Sequence, residues 1–167
     1  MRKILVLFAV IGLLLQSVSA FQTKAVNYAG DWTLDKSKSE LPRMMQGIES
    51  MTMKVTQTEK ELTTETTTTG GQRGGGTQKA TYSLDGKETT GEVGGRFGGT
   101  ATYKAKVEKD GKVSLSSERK VSGPMGEFTL KTTETWELTD DGKTLKISRT
   151  NDTPNGAMSS TLYFTKK

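Results

Sequence analysis

The stretch from Phe128 to Arg149 reads F-T-L-K-T-T-E-T-W-E-L-T-D-D-G-K-T-L-K-I-S-R, and it leaves few folds open. Phe128, Leu130, Trp136 and Leu138 share one parity, and Leu145 and Ile147 share another. Successive side chains of a strand point to opposite faces, so each run has one apolar face and one Thr/Lys/Glu face. Asp140-Asp141-Gly142-Lys143 separates the runs. An Asp-Gly pair is a hairpin signal, because glycine tolerates the positive φ of a tight turn. The two runs therefore predict an antiparallel hairpin with one wet face.

The same alternation continues on both sides. Gly30–Leu34 predicts a first strand, with Trp32 and Leu34 on one side. A charged loop over 35–40 follows. Leu41 is an apolar anchor, and Pro42 argues against a central strand there. Residues 42–49 predict a short helical turn, with Met44, Met45 and Ile48 covering an opening. Further strands are expected over 50–58, 62–69, 78–84, 88–97, 100–107, 113–121 and 158–165. The strand over 88–97 is rich in glycine and poor in packing groups, so the sheet should be thin there. Residues 151–156 have the composition of a loop. Asp-Gly-Lys, strand, Arg, loop and Pro-x-Gly recur about 30 residues apart, at Gly111 to Pro124 and again at Gly142 to Pro154, as in a meander of repeated hairpins. The fold class is all-β: an antiparallel up-and-down meander of about eight to ten strands. Closing it into a barrel removes the exposed edges. The outward face is Thr, Lys and Glu, which excludes a membrane barrel.

Arg2 and Lys3, an apolar run from Ile4 to Leu15, and Val18-Ser19-Ala20 have the layout of a cleaved secretory signal peptide over residues 1–20. Residues 21–167 are then one domain of the exported, periplasmic or secreted protein. No second long apolar run predicts an integral membrane anchor. The chain has no Cys and no His. Disulfides, a cysteine-linked lipid anchor, most metal sites and every Cys–His or Ser–His nucleophile are thereby excluded. No cofactor is expected. The net charge of +5 is interspersed rather than clustered, which argues against nucleic acid. Gly70–Gly76 and Gly94–Gly99 carry Arg73 and Arg96, but no G-K-[ST] or helix follows, so they are hairpin connections rather than phosphate cradles. Asn151-Asp152-Thr153 is a glycosylation sequon that Pro154 disfavours.

Gly30-Asp31-Trp32 near the start of a meander barrel resembles the G-x-W signature of lipocalins and related calycins. G-D-W-T-L-D-K-S-K-S and T-W-E-L-T-D-D-G-K-T-L-K-I-S-R-T are similar to small exported bacterial lipocalin-like proteins of mostly unassigned function. The resemblance covers nearly the whole chain after residue 20. It implies a lipocalin-like barrel in which Trp32 plugs the floor and an arginine from a late strand, Arg149, packs over it.

The hairpin register locates the candidate site. Leu138 opposite Leu145 sets Trp136 opposite Ile147 and Glu134 opposite Arg149. Val121 opposite Phe128 sets Leu115 opposite Glu134. Arg119, Glu134 and Arg149 then all point inward. Buried charges are costly unless paired or hydrated, so this trio implies a wet interior, an anionic ligand or a paired structural network. Arg119 has no carboxylate directly opposite and is the candidate for a carboxylate or phosphate head group. Tyr82, Tyr103, Phe128 and Trp136 are inward aromatics that either fill the core or line a cavity. The candidate ligand-binding residues are therefore Tyr82, Tyr103, Arg119, Phe128, Glu134, Trp136 and Arg149. The expected function is an exported binding protein for a small apolar, amphipathic or anionic molecule in the lumen. The alternative is an interaction protein with a filled barrel. An enzyme using Glu134 as acid or base is the third reading, and no motif supports it.

Overall fold

The computed structural model describes residues 23–71, 75–94, 99–123, 126–154 and 156–167. The expected signal peptide, Arg73, Arg96 and Pro124 lie outside the described residues. Ten strands follow one another: β1 (Gly30–Leu34), β2 (Ile48–Gln57), β3 (Glu61–Gly70), β4 (Gly76–Ser83), β5 (Thr89–Val93), β6 (Gly99–Val107), β7 (Val113–Gly123), β8 (Gly126–Thr139), β9 (Thr144–Thr153) and β10 (Gly156–Lys166). All pair antiparallel in the order β4-β3-β2-β1-β10-β9-β8-β7-β6-β5. The first strand thus joins the last, and the barrel is nearly closed. The remaining seam lies between β4 and β5, where no ladder forms among the described residues. The Thr89 hydroxyl crosses the seam and donates to the Thr81 carbonyl.

One connection differs from the sequence reading. Asn151–Thr153 belong to β9 and pair with Gly156–Met158, because ladder hydrogen bonds outweigh their loop-like composition. Asp140-Asp141-Gly142-Lys143 connects β8 and β9, as expected. Thr139 pairs with Thr144, and a 3-10 turn over Asp140–Gly142 lies between them, with Asp140 and Asp141 at φ 53 and 55. Aspartate is among the few residues that enter this left-handed region readily. Of the strand expected over 88–97, Thr89–Val93 form β5, and residues 95–97 lie outside the described residues.

The threonine richness has a geometric role. Thr139, Thr144, Thr165, Thr33, Thr52, Thr67 and Thr77 are successive cross-strand partners from β8 through β10 and β1 to β4. They form one continuous row on the outer face. Thr67 Oγ1 and Thr77 Oγ1 lie 2.9 Å apart. Cross-strand pairs of β-branched hydroxyl residues suit a pleated outer face, although Thr144 and the Thr33 hydroxyl are buried within it.

The turns define a lower end, and residues 23–29 cross it as a strap. Val26 N donates to Gly111 O at 2.7 Å. The Gln57 side chain clamps the strap twice, donating to Val26 O at 2.8 Å and accepting from Tyr28 N at 2.9 Å. The Tyr28 ring is fully buried, meets Trp136 edge-on at 5.5 Å, and donates its hydroxyl to Trp136 O at 2.9 Å. Burial holds the neutral phenol and pushes its pKa up to about 12 from 10.0. A raised folded pKa stabilises fully below the unfolded value and is lost as pH rises through the folded one. Alkaline unfolding should therefore set in between about pH 10 and 12, and Tyr28→Phe should shrink that pH dependence in a urea-midpoint titration.

At the opposite end, Arg43–Met45 form a 3-10 turn in the β1–β2 connection. Leu41 and Met45 pack against the core from this connection and Ile48 is buried, while the Met44 side chain, also expected there, lies outside what the structure describes. Lys36 Nζ pins the connection by donating to Glu49 O at 3.0 Å.

Candidate functional site

The inner face is graded from floor to mouth. The floor is dry: Tyr28, Trp32, Leu62, Val113, Leu115, Trp136, Leu145, Ile147, Leu162 and Phe164 are all essentially inaccessible. Trp32 occupies the plug position that the calycin resemblance implies. Its Nε1 donates to Tyr28 O at 3.0 Å. The cation over its ring is not Arg149, however. Lys166 Nζ, on the last strand, lies 5.3 Å from the ring centroid. Gly30 makes that approach feasible, since a Cβ there would sit 2.7 Å from Lys166 Cε. Arg149 stands on β9, one strand further round, and serves a different partner.

That partner is Glu134, and the register is the one expected: Glu134 faces Arg149, Trp136 faces Ile147, Leu115 faces Glu134 and Val121 faces Phe128. Arg149 Nη2 lies 2.6 Å and Nε 2.7 Å from Glu134 Oε1. Trp136 Nε1 donates to Oε2 at 2.8 Å. Both carboxylate oxygens are engaged, so the pair is a satisfied wall of the lumen. Trp136, in turn, belongs to the packed floor, with only its Nε1 reaching this level.

Tyr82 and Tyr103 complete a belt at mid-height. Their rings meet edge-to-face, 5.3 Å between centroids, with Tyr82 on β4 and Tyr103 on β6. The pair lies against the β4–β5 seam from inside, where β5 presents Gly91. A Cβ on Gly91 would approach Tyr103 Cε2 to 3.2 Å, so glycine in β5 leaves room for the ring. Gly91→Val should therefore displace Tyr103 and cost about 1–3 kcal/mol, read as a lowered urea midpoint. Burial raises the Tyr82 phenol far above its ordinary range, with the Glu134 charge adding to it and Arg149 opposing it. β4 and β9 stand on opposite walls of the ten-strand barrel, so this coupling runs across the lumen. Burial also raises Tyr103, against the opposing charge of Arg119.

Above the belt the inner face turns polar and accessible. Arg119 lies between Ala101 and Leu130 on neighbouring strands. Thr132 Oγ1 and Asn151 Oδ1 are hydrogen-bonded at 2.9 Å. Phe128 and Leu130 are half-buried, and Met158 is 41% exposed. Of the seven residues expected from sequence, Tyr82, Tyr103, Glu134 and Arg149 meet in the belt, Arg119 and Phe128 stand toward the mouth, and Trp136 lies beneath.

Two functional neighbours were not singled out by the sequence reading. Ser160 faces Arg149 across the β9–β10 ladder and is only 5% exposed. Met158 stands at the mouth on the same parity. Their signal was present: both share the inward parity of Leu162 and Phe164. Two other hollows lie outside the lumen. One of ≈ 500 Å³ lies beside the strap near Lys24, Gln57 and Glu59, and one of ≈ 320 Å³ on the outer wall near Lys54, Glu65 and Lys167. The first is lined mainly by uncharged residues, and the second mixes lysines and carboxylates with Trp32 and Met53.

Neither a protein-family model nor a curated protein sequence matches the chain. Its structure is similar to the zebrafish ileal bile acid-binding protein, solved in complex with cholic acid. The TM-score is 0.54 at 16% identity, over 84% of this chain and 98% of that one. A ten-strand antiparallel meander closed but for one seam, with a G-x-W tryptophan as its floor, gives this chain a lipocalin-like β-barrel fold.

Proposed function

We propose that this protein is an exported, non-enzymatic binding protein that holds a small apolar or amphipathic molecule in the upper half of its barrel. The observation that carries the reading is the graded lumen: a dry floor, a polar belt and an accessible mouth lined by Phe128, Leu130, Met158 and Arg119. Such a surface pairs apolar contact area with a few fixed polar groups, as small-molecule sites do. Arg119 is the residue placed to meet an anionic group near the mouth. Glu134, with both oxygens engaged, is poorly placed for acid–base catalysis. Among the described residues no helix is long and apolar enough to cross a membrane. Residues 1–20 are the export signal in this reading.

The test is native mass spectrometry of the protein purified from its own host, before and after organic extraction. A discrete added mass that extraction removes is the expected result. Arg119→Ala should then weaken retention of an anionic ligand about tenfold. A chain of bare mass that also binds no added amphiphile would leave the filled-barrel interaction protein, which the packed lower half favours.

A further inference from the structure

One buried polar group in the belt has no hydrogen-bond partner among the described residues: Ser160 Oγ, on the inner face. The Tyr82 phenol, on a residue 8% exposed, is a second hydroxyl of the belt, its ring set edge-to-face on Tyr103. A buried hydroxyl without a partner carries a desolvation cost, and in native proteins such a group marks the place of a water or a ligand. Both groups face the same ion pair: Ser160 is the cross-strand neighbour of Arg149, and Tyr82 stands on the opposite wall, within the field of Glu134 and Arg149.

The charge at this level is already balanced. Glu134 Oε1 takes two contacts from the Arg149 guanidinium, at 2.6 and 2.7 Å, and Oε2 takes the Trp136 indole. An anionic group pushed to this depth would be desolvated next to Glu134, with the adjacent Arg149 already neutralised. An uncharged oxygen meets no such obstacle. Ser160 and Tyr82 can each donate or accept, which suits a hydroxyl or a carbonyl.

Resting on the lumenal binding role proposed above, we infer that the belt receives an uncharged oxygen, a hydroxyl or carbonyl, at the inner end of the ligand, held by Ser160 and Tyr82, while the Glu134–Arg149 pair stays closed. The ligand's apolar body then lies toward Leu130, Phe128 and Met158. Any anionic group belongs at the outer end, beside Arg119. Ligands bound this way enter with the uncharged polar end first.

The test compares three probes of one chain length, dodecanol, dodecan-2-one and dodecanoate, on the delipidated protein at neutral pH by calorimetry. Dodecanol and dodecan-2-one should each bind about tenfold tighter than dodecanoate. Ser160→Ala and Tyr82→Phe should each weaken dodecanol about tenfold and change dodecanoate by less than about twofold. Ser160→Ala removes one small group and Tyr82→Phe keeps the ring, and near-UV circular dichroism verifies the fold of each variant. If Tyr82→Phe alone misfolds, Ser160→Ala decides. Dodecanoate binding as tightly as dodecanol overturns the inference and leaves the carrier role standing. So does dodecanol binding that Ser160→Ala leaves unchanged. Failure of all three probes on the wild-type protein overturns the carrier role along with it.

Discussion

Trp32→Ala is expected to lower the unfolding free energy by about 3–5 kcal/mol, a large part of the roughly 5–15 kcal/mol that holds a domain of this size folded. The indole is fully buried at the floor. Its removal opens a cavity among side chains that the barrel walls prevent from collapsing, and it orphans the Tyr28 carbonyl that accepts the Nε1 proton at 3.0 Å. Trp32→Phe keeps most of the volume and loses the donor, so a loss of about 1–2 kcal/mol should separate packing from hydrogen bonding. Lys166→Ala removes only a cation over the ring at 5.3 Å, near the surface, and should cost about 0.5–1 kcal/mol. Urea-midpoint shifts at constant m-value measure all three. An equal loss in Trp32→Ala and Lys166→Ala would mean that the lysine, not the buried indole, holds the floor.

The same corner of the molecule shows how far sequence patterns reach. Alternation placed the strands and faces, because a period of two is a local property that burial enforces on every strand. The central hairpin's register was legible to the residue, since a slip by one would turn Trp136 and Ile147 to solvent. Closure itself was expected, because it removes exposed edges, but which strands meet was not legible. The pairing of β1 with β10 joins residues more than a hundred positions apart, and nothing local distinguishes it from pairing between β1 and another edge. The seam shares that origin: β5 was recognisable as glycine-rich, yet the ring of Tyr103 against Gly91 needs the barrel's curvature. Tyr28 sits in a polar lead-in whose role depends on crossing the lower end. The cation over Trp32 was assigned to Arg149 by family likeness, whereas cross-strand geometry gives Arg149 to Glu134 and leaves Trp32 to Lys166. At the site, parity alone exposed Glu134 and Arg149. Serine at position 160 carries the same parity signal, but its meaning rests on what surrounds it: a hydroxyl buried beside an ion pair.

That ion pair should show strong coupling in a double-mutant cycle. Arg149→Met leaves Glu134, whose side chain is 12% exposed, with one indole donor and no compensating charge. Breaking a buried pair from one side costs about 3–5 kcal/mol, and the 24% exposure of the Arg149 side chain reduces this to about 2–3. Glu134→Gln keeps an acceptor for Trp136 Nε1 and leaves the more accessible arginine uncompensated, so about 1–2 kcal/mol is expected. The double variant carries neither charge and retains the indole's partner. It should therefore lose less than the sum of the single losses, by about 1–2 kcal/mol of coupling. Additive losses would show that water screens the pair, and that the lumen at this level is wetter than the burial of Ser160 and Tyr82 implies. Coupling of the expected size would establish a belt whose own charges are spent on each other, the condition under which an uncharged ligand oxygen is preferred at Ser160 and Tyr82.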